Sequence, residues 1–122
     1  MASLDSDARA LLPLTPAVFH ILLAVADGDR HGLGIMADVE ERTEGAVKLG
    51  PGTLYGTIKR MMAAALLQET DARPAPEEDD PRRRYYAITA LGRRAAELEA
   101  ERLATLLGIA REKKVFPRAT TR

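Results

Sequence analysis

The residues best suited to chemistry lie on one face of a predicted helix that opens at Gly50-Pro51. Leu54, Ile58 and Met61 recur at helical spacing and form its buried stripe. The opposite face has cations and hydroxyls but no carboxylate, and its residues are Gly52, Thr53, Tyr55, Gly56, Thr57, Lys59 and Arg60. The glycines allow a phosphate to approach the free N–H groups of the helix N-terminus. This face therefore suits double-stranded nucleic acid, and an ordinary solvated helix face is the alternative.

A second cationic group, Arg82, Arg83 and Arg84, follows a charged loop. Two strand-like runs, residues 66–70 and 84–88, flank residues 71–83, whose three prolines and dense charge predict a hairpin loop. The arginines stand where such a loop would meet a phosphate backbone, although three arginines also commonly protect a sheet edge. The loop tip, residues 77–80, is acidic and would be repelled by phosphate. A module that binds a basic protein partner through this acidic loop is thus the alternative function.

The elements that position these groups follow a recognisable order. Thr15-Pro16 begins a helix that Asp27-Gly28-Asp29 ends, a second helix runs from about residue 31 to 43, and residues 46–49 form a short extended stretch. The helix at Gly50 is the third. Thr89 caps a final helix that reaches about Lys113. This order predicts an α+β fold, mainly α with a small β-hairpin: a winged helix-turn-helix whose third helix enters the DNA groove and whose loop is the wing.

The final helix is longer than a compact head requires. Its 24 or so residues reach roughly 36 Å, and it has two adjacent apolar stripes. The surplus predicts a homodimer in which the same helix of a second chain covers it. The predicted dimer contacts are Leu98, Leu103, Leu106, Leu107, Ile109 and Ala110. The alternative is that the first helix or the N-terminal arm of the same chain folds back over this face.

These elements divide the chain into four predicted parts. Residues 1–13 form an arm or a marginal helix, and residues 14–88 form the DNA-binding domain with its wing at about 71–83. Residues 89–113 form the dimerisation helix and residues 114–122 a tail.

Composition excludes several function classes. The 122 residues have no cysteine, two histidines and a formal net charge of zero from 18 basic and 18 acidic side chains. We therefore expect no disulfide, no metal site and no cofactor, and the absence of a triad elbow or a phosphate-cradling loop predicts no catalytic residues and no enzyme. No apolar run is long enough to span a membrane, and the acidic N-terminus is unlike a signal peptide. We expect a cytoplasmic, nucleoid-associated protein.

Four sequence runs resemble the PadR family of transcriptional regulators in order and spacing: LTPA at residues 14–17, HG at 31–32, LGPGTLY at 49–55 and RYYAITALGR at 84–93. The resemblance implies a homodimeric winged-helix repressor that binds a pseudo-palindromic DNA operator and is often released by a small ligand. It assigns DNA contacts to Thr53, Tyr55, Lys59 and the wing residues near 82–84.

The chain departs from the family pattern at three positions. It has Leu33 where tyrosine is usual, Gly56 where proline is common, and Ala65 where glycine usually makes the turn out of the third helix. Two further interpretations concern ring side chains. His31 is read as a cap or a packed ring rather than a pH switch, and Tyr86 is expected to be buried with Tyr85 facing outward.

Overall fold

The computed structural model describes residues 3–71, 80 and 82–117. In these residues, helices and one short strand are followed by a two-stranded hairpin and a long C-terminal helix. The elements are α1 (Leu4–Arg9), α2 (Pro16–Val25), β1 (Arg30–His31), α3 (Gly32–Arg42), α4 (Pro51–Ala63), β2 (Leu67–Thr70), β3 (Tyr85–Ile88) and α5 (Ala90–Glu112). The predicted fold class is confirmed: a mainly helical winged helix-turn-helix followed by a C-terminal helix. Across the described ranges, no helix combines the length and apolar character needed to cross a bilayer.

Side-chain caps mark the beginning of α2 and α3. The Thr15 hydroxyl accepts a hydrogen bond from the Val18 amide, and Pro16 occupies the first turn of α2. His31 caps α3, because its Nδ1 accepts from the Gly34 amide at 3.1 Å. Burial, then the nearby Arg83 and Arg30, lower the pKa of His31, so the ring favours its neutral form. The interpretation of His31 as a cap is confirmed.

The sheet is antiparallel with strand order β1-β3-β2. The predicted extended stretch at residues 46–49 is not a strand. The Val47 amide instead donates to the Thr43 hydroxyl at 3.0 Å, which holds this stretch against the end of α3. The strand β1, Arg30–His31, was not predicted, and it pairs with β3 on the side away from β2. Tyr85 is therefore buried like Tyr86, with the His31 ring edge-on at 5.5 Å, and the expectation of an outward Tyr85 is wrong.

The core lies between α2, α3, α4, α5 and the sheet. Its largest fully buried side chains include Ile21, Leu22 and Ile35, together with Leu54, Ile58 and Met61 from the predicted stripe of α4. Because α4 buries this stripe, its opposite face is directed away from the core.

A contact between Thr89, Gly92 and the turn after α4 fixes the position of α5. The Thr89 hydroxyl donates to the Ala65 carbonyl at 2.6 Å and accepts from the Gly92 amide at 2.9 Å. Gly92 lies so close to the Leu66 carbonyl oxygen that a Cβ there would collide with it. Ala65 has a φ of 62°, so the exit turn keeps a left-handed conformation without its usual glycine, at a cost of about 1 kcal/mol.

The N-terminal segment packs on the first half of α5. Asp5 pairs with Arg94 at 2.6 Å, and the Leu14 amide donates to the buried Glu99 carboxylate at 3.2 Å. Arg102 pairs with the same carboxylate at 2.6 Å. The Arg102 guanidinium, assisted by the Leu14 amide, holds the pKa of Glu99 below its ordinary value although burial opposes this shift. The N-terminal segment thus covers part of α5, as the fold-back alternative anticipated.

Candidate nucleic-acid interface

The N-terminal turn of α4 is open. Gly50 occupies the cap position without a side-chain cap hydrogen bond, and Pro51 follows. Gly52 and Thr53 are exposed, and a Cβ on Gly52 would meet nothing within 4 Å. An anion can therefore approach the helix N-terminus, where backbone amides and the positive end of the helix dipole stabilise it.

Thr57, which was predicted for the exposed face of α4, does not lie on it. Thr57 is buried, and its hydroxyl donates to the Thr53 carbonyl at 2.6 Å and accepts from the Arg60 guanidinium at 3.1 Å. The prediction that Thr57 lies on the exposed face is wrong. It follows Leu54 by three positions and precedes Met61 by four, so it lies roughly 60° and 40° around the helix from these two residues of the buried stripe. Its contribution to this face is to hold Arg60 along α4.

Tyr55 connects α4 to the beginning of α3. A Cβ at position 32 would fall 2.6 Å from Cε1 of the Tyr55 ring, so only glycine leaves room for this contact. The ring remains 44% exposed. The HG motif at residues 31–32 and the GTLY motif at residues 52–55 therefore meet in one contact between α3 and α4.

A groove of about 490 Å³ lies between this contact and the wing. Its lining residues are His31, Gly32, Leu33, Tyr55, Asp80, Arg82, Arg83, Arg84 and Tyr86. The structure thus brings the three predicted wing arginines together with Tyr55. Sequence reasoning missed Leu33 and Asp80 as groove residues, although the departure of Leu33 from the family pattern was a signal.

Arg60 lies on the other flank of α4. Five positions separate it from Tyr55, roughly 140° around the helix. It borders a hollow of about 210 Å³ against Pro13, Leu14 and Val18. Gly56 and Lys59 lie between these two flanks, where Lys59 is exposed and Gly56 half-buried. The face is therefore broad, with small residues near its centre and polar or cationic side chains around them.

Carboxylates accompany two of the wing arginines. Arg82 Nη2 lies 3.1 Å from Asp80 Oδ2, and Arg84 Nη1 lies 3.8 Å from Glu69 Oε1. Asp80 is the one member of the acidic tip within the described residues, since residues 77–79 lie outside them. In the described part of the chain, no group of three or more histidine and acidic side chains could hold a metal ion.

The second half of α5 exposes a row of large apolar side chains, namely Leu103, Leu106, Leu107 and Ile109. Ala110 is half-buried beside them. Leu98 does not belong to this row, because it is 3% exposed and packs in the core of its own chain. The prediction of Leu98 as a dimer contact is wrong. The remaining row, Leu103 to Ile109, is called the α5 apolar face below.

A helix with an open N-terminus and an exposed cationic face, lying beside a wing, defines the class of winged helix-turn-helix DNA-binding proteins. The family model described as the PadR-like family of transcriptional regulators matches residues 21–98. The chain belongs to this family. Members of this family are described as transcriptional regulators.

Two related proteins each match part of this chain. The chain is 38% identical over 88 residues to an uncharacterized 37.1 kDa protein in transposon TN4556 of Streptomyces fradiae, a match that covers 72% of this chain but 23% of that protein. It is 29% identical over 73 residues to uncharacterized protein X of Lysinibacillus sphaericus, covering 60% of this chain and 64% of that protein. The chain therefore spans less than two thirds of either relative.

Solved structures share the fold. A PadR-like transcriptional regulator from Bacillus cereus has a TM-score of 0.67 at 17% identity, covering 89% of this chain and 96% of its own. A PadR family regulator from Clostridium difficile has a TM-score of 0.66 at 21% identity, with coverage of 80% and 97%. A complex structure of RosR from H. salinarum has a TM-score of 0.59 at 25% identity, with coverage of 91% and 98%.

Proposed function

We propose that this protein is a ligand-responsive repressor that binds a pseudo-palindromic operator as a homodimer, acting at the nucleoid in the cytoplasm. The observation that carries the proposal is the shape and charge of α4. Gly52 and Gly56 have no side chains, so the backbone is accessible at the centre of the outer face of α4. Thr53, Lys59 and Arg60 surround that centre. A helix of this kind fits the major groove, where its N-terminus can lie against a phosphate.

The wing extends this surface. Tyr55 shares the groove with Arg82, Arg83 and Arg84, so an α4 docked in the major groove places these arginines beside the flanking DNA backbone. The net charge of the chain is zero, but cations concentrate on this side. From that distribution we expect weak long-range electrostatic steering toward DNA. We also expect the affinity for DNA to depend strongly on the binding of both half-sites.

The α5 apolar face supports a homodimer. Leu103, Leu106, Leu107 and Ile109 are each between 39% and 50% exposed in the single chain. A second copy of α5 has the same apolar face and can cover it with two-fold symmetry. The two copies of α4 would then enter successive major grooves about 34 Å apart.

Binding to the DNA upstream of the gene, measured at several salt concentrations, tests the proposal. We expect saturable binding whose affinity falls with log salt by about 0.9 per neutralised phosphate, and stronger binding to the operator than to random sequence. Saturable binding to a basic protein, with none to DNA at low salt, would support the alternative in which the acidic wing binds protein. Repression and its relief are read from a reporter downstream of the operator, with and without candidate small aromatic or cationic ligands.

Two substitutions on α4 separate backbone contacts from base contacts. Lys59→Ala is expected to weaken operator and random DNA about equally, because a lysine on phosphate carries no sequence information. Arg60→Ala is expected to cost about 1 to 3 kcal/mol on the operator and to relax specificity at one base pair, because arginine reads guanine with two hydrogen bonds. Gel-shift titrations on both DNAs measure this. Equal losses for Arg60→Ala on the two DNAs would exclude it as a base reader.

Leu103→Asp is expected to yield a folded monomer. Leu103 is 40% exposed in the single chain, so the carboxylate is tolerated there, but in a dimer it would be buried without a partner. Sedimentation velocity measures the change in mass. The matched control is Ala104→Asp, which places the same charge on an exposed residue roughly 100° around the helix. A dimer that survives Leu103→Asp would place the interface elsewhere.

A further inference from the structure

Asp80 forms an ion pair with Arg82 at the wing, with Arg82 Nη2 3.1 Å from Asp80 Oδ2. Its carboxylate accepts hydrogen bonds from Arg82 Nε at 3.2 Å and Arg82 Nη2 at 3.1 Å. It also accepts from the Arg82 backbone amide at 2.9 Å. The Arg83 amide donates to the Asp80 carbonyl at 2.9 Å, which holds the turn in this form.

This pair forms part of the wall of the groove that Tyr55 and the wing enclose. Both Asp80 and Arg82 line it, and the Arg82 side chain is 88% exposed. The arginine fork has the same geometry toward a carboxylate as toward a phosphate. A DNA phosphate that reaches Arg82 therefore meets a guanidinium whose Nε and Nη2 already donate to a carboxylate of the same chain.

Protonation does not release this anion near neutral pH. The side-chain and backbone hydrogen bonds from Arg82 lower the pKa of Asp80 to about 2. Asp80 stays charged at every pH at which a DNA-binding protein works, so it competes with any other anion for the guanidinium throughout that range.

We propose that Asp80 is an internal competitor for the DNA phosphate at Arg82, and that it sets the affinity and the salt dependence of DNA binding. The proposal rests on the proposed function. Binding exchanges one carboxylate for one phosphate, so Arg82 releases few counterions and adds little net affinity. Discrimination between operator and random DNA then depends on α4, because the non-specific contribution of the wing is reduced.

The test compares Asp80→Asn with the wild-type chain on a short labelled duplex of random sequence, by fluorescence anisotropy between about 50 and 200 mM KCl. Asparagine can still accept from the Arg82 amide but has no charge, so the turn is retained. We expect affinity to rise about threefold to tenfold, since the Arg82 guanidinium is no longer shared with a carboxylate of its own chain. The slope against log salt should become steeper by up to about 0.9 per chain.

Two further variants identify the cause. Asp71→Asn removes one charge from an exposed residue at the end of β2 and should leave affinity within about twofold. In an Arg82→Ala background, Asp80→Asn should bring no gain, because the group for which Asp80 competes is absent. An equal gain from Asp71→Asn, or a gain that persists without Arg82, overturns the proposal in favour of simple net charge.

A wild-type chain that binds the duplex with a clear salt slope, and an Asp80→Asn variant that binds no better, refutes the role of Asp80 alone. A wild-type chain without salt-dependent DNA binding refutes the proposed function and this inference with it.

Discussion

Gly92→Ala is expected to destabilise the folded chain by about 2 to 3 kcal/mol or more. The added Cβ would collide with the Leu66 carbonyl oxygen and would lie 3.1 Å from Ile88 Cγ1 and 3.2 Å from Leu22 Cδ2. A side chain end could rotate away, but the carbonyl belongs to the backbone at the beginning of the hairpin. Relief requires α5 to move away from the core, which weakens the Thr89 contacts as well.

Urea unfolding followed by circular dichroism measures this effect. The matched control is Gly56→Ala in α4, where a Cβ would meet only Arg60 Nη1 at 3.6 Å. That substitution should stabilise the chain by about 0.5 to 1 kcal/mol, because alanine is the better helix former. If Gly92→Ala unfolds at the same urea concentration as the wild-type chain, α5 does not pack as tightly against the hairpin as described.

Gly56→Glu is expected to cause the largest loss of DNA binding without loss of stability. Glutamate is a better helix former than glycine and would stand four positions before Arg60, where the two form a favourable pair. The introduced carboxylate would face the DNA from the centre of the proposed interface and would also engage Arg60. Each half-site should lose about 1 to 3 kcal/mol, so the dimer should bind at least about 30-fold more weakly.

Anisotropy titrations on the operator, with melting curves as a check of folding, measure the change. Gly56→Gln has nearly the same shape without the charge and should lose far less affinity, which separates repulsion from steric obstruction. A folded Gly56→Glu variant that binds with wild-type affinity would show that DNA does not lie against this face of α4.

Local sequence signals predicted most of the elements. The caps at Thr15 and Thr89, the proline after Gly50 and the apolar period of α4 act over a few residues, so they can be read without knowledge of the tertiary structure. The fold class followed from the order of these elements. The strand Arg30–His31 was missed because two residues have no period, and they are extended only through pairing with β3.

For residues at the margin of an apolar helix face, tertiary packing decided whether the side chain is buried. Thr57 and Leu98 lie at helical positions between the core and the solvent, where a helical-wheel projection does not predict burial. The structure buries both, one beside the α4 stripe and the other in the core cluster. Tyr85 is buried because β1 pairs beside it and the His31 ring packs against its ring.

The sequence by itself determined that this chain is a winged helix with a cationic third helix and an overlong last helix, because spacing and residue type decide which faces are apolar and which are charged. Tertiary structure decided which of the charged side chains form ion pairs. It pairs Asp80 with Arg82 and closes Tyr55 on Gly32. It also leaves the second half of α5 uncovered. Such contacts join residues that are distant in the chain or related by a turn, and their geometry exists only once the backbone has folded.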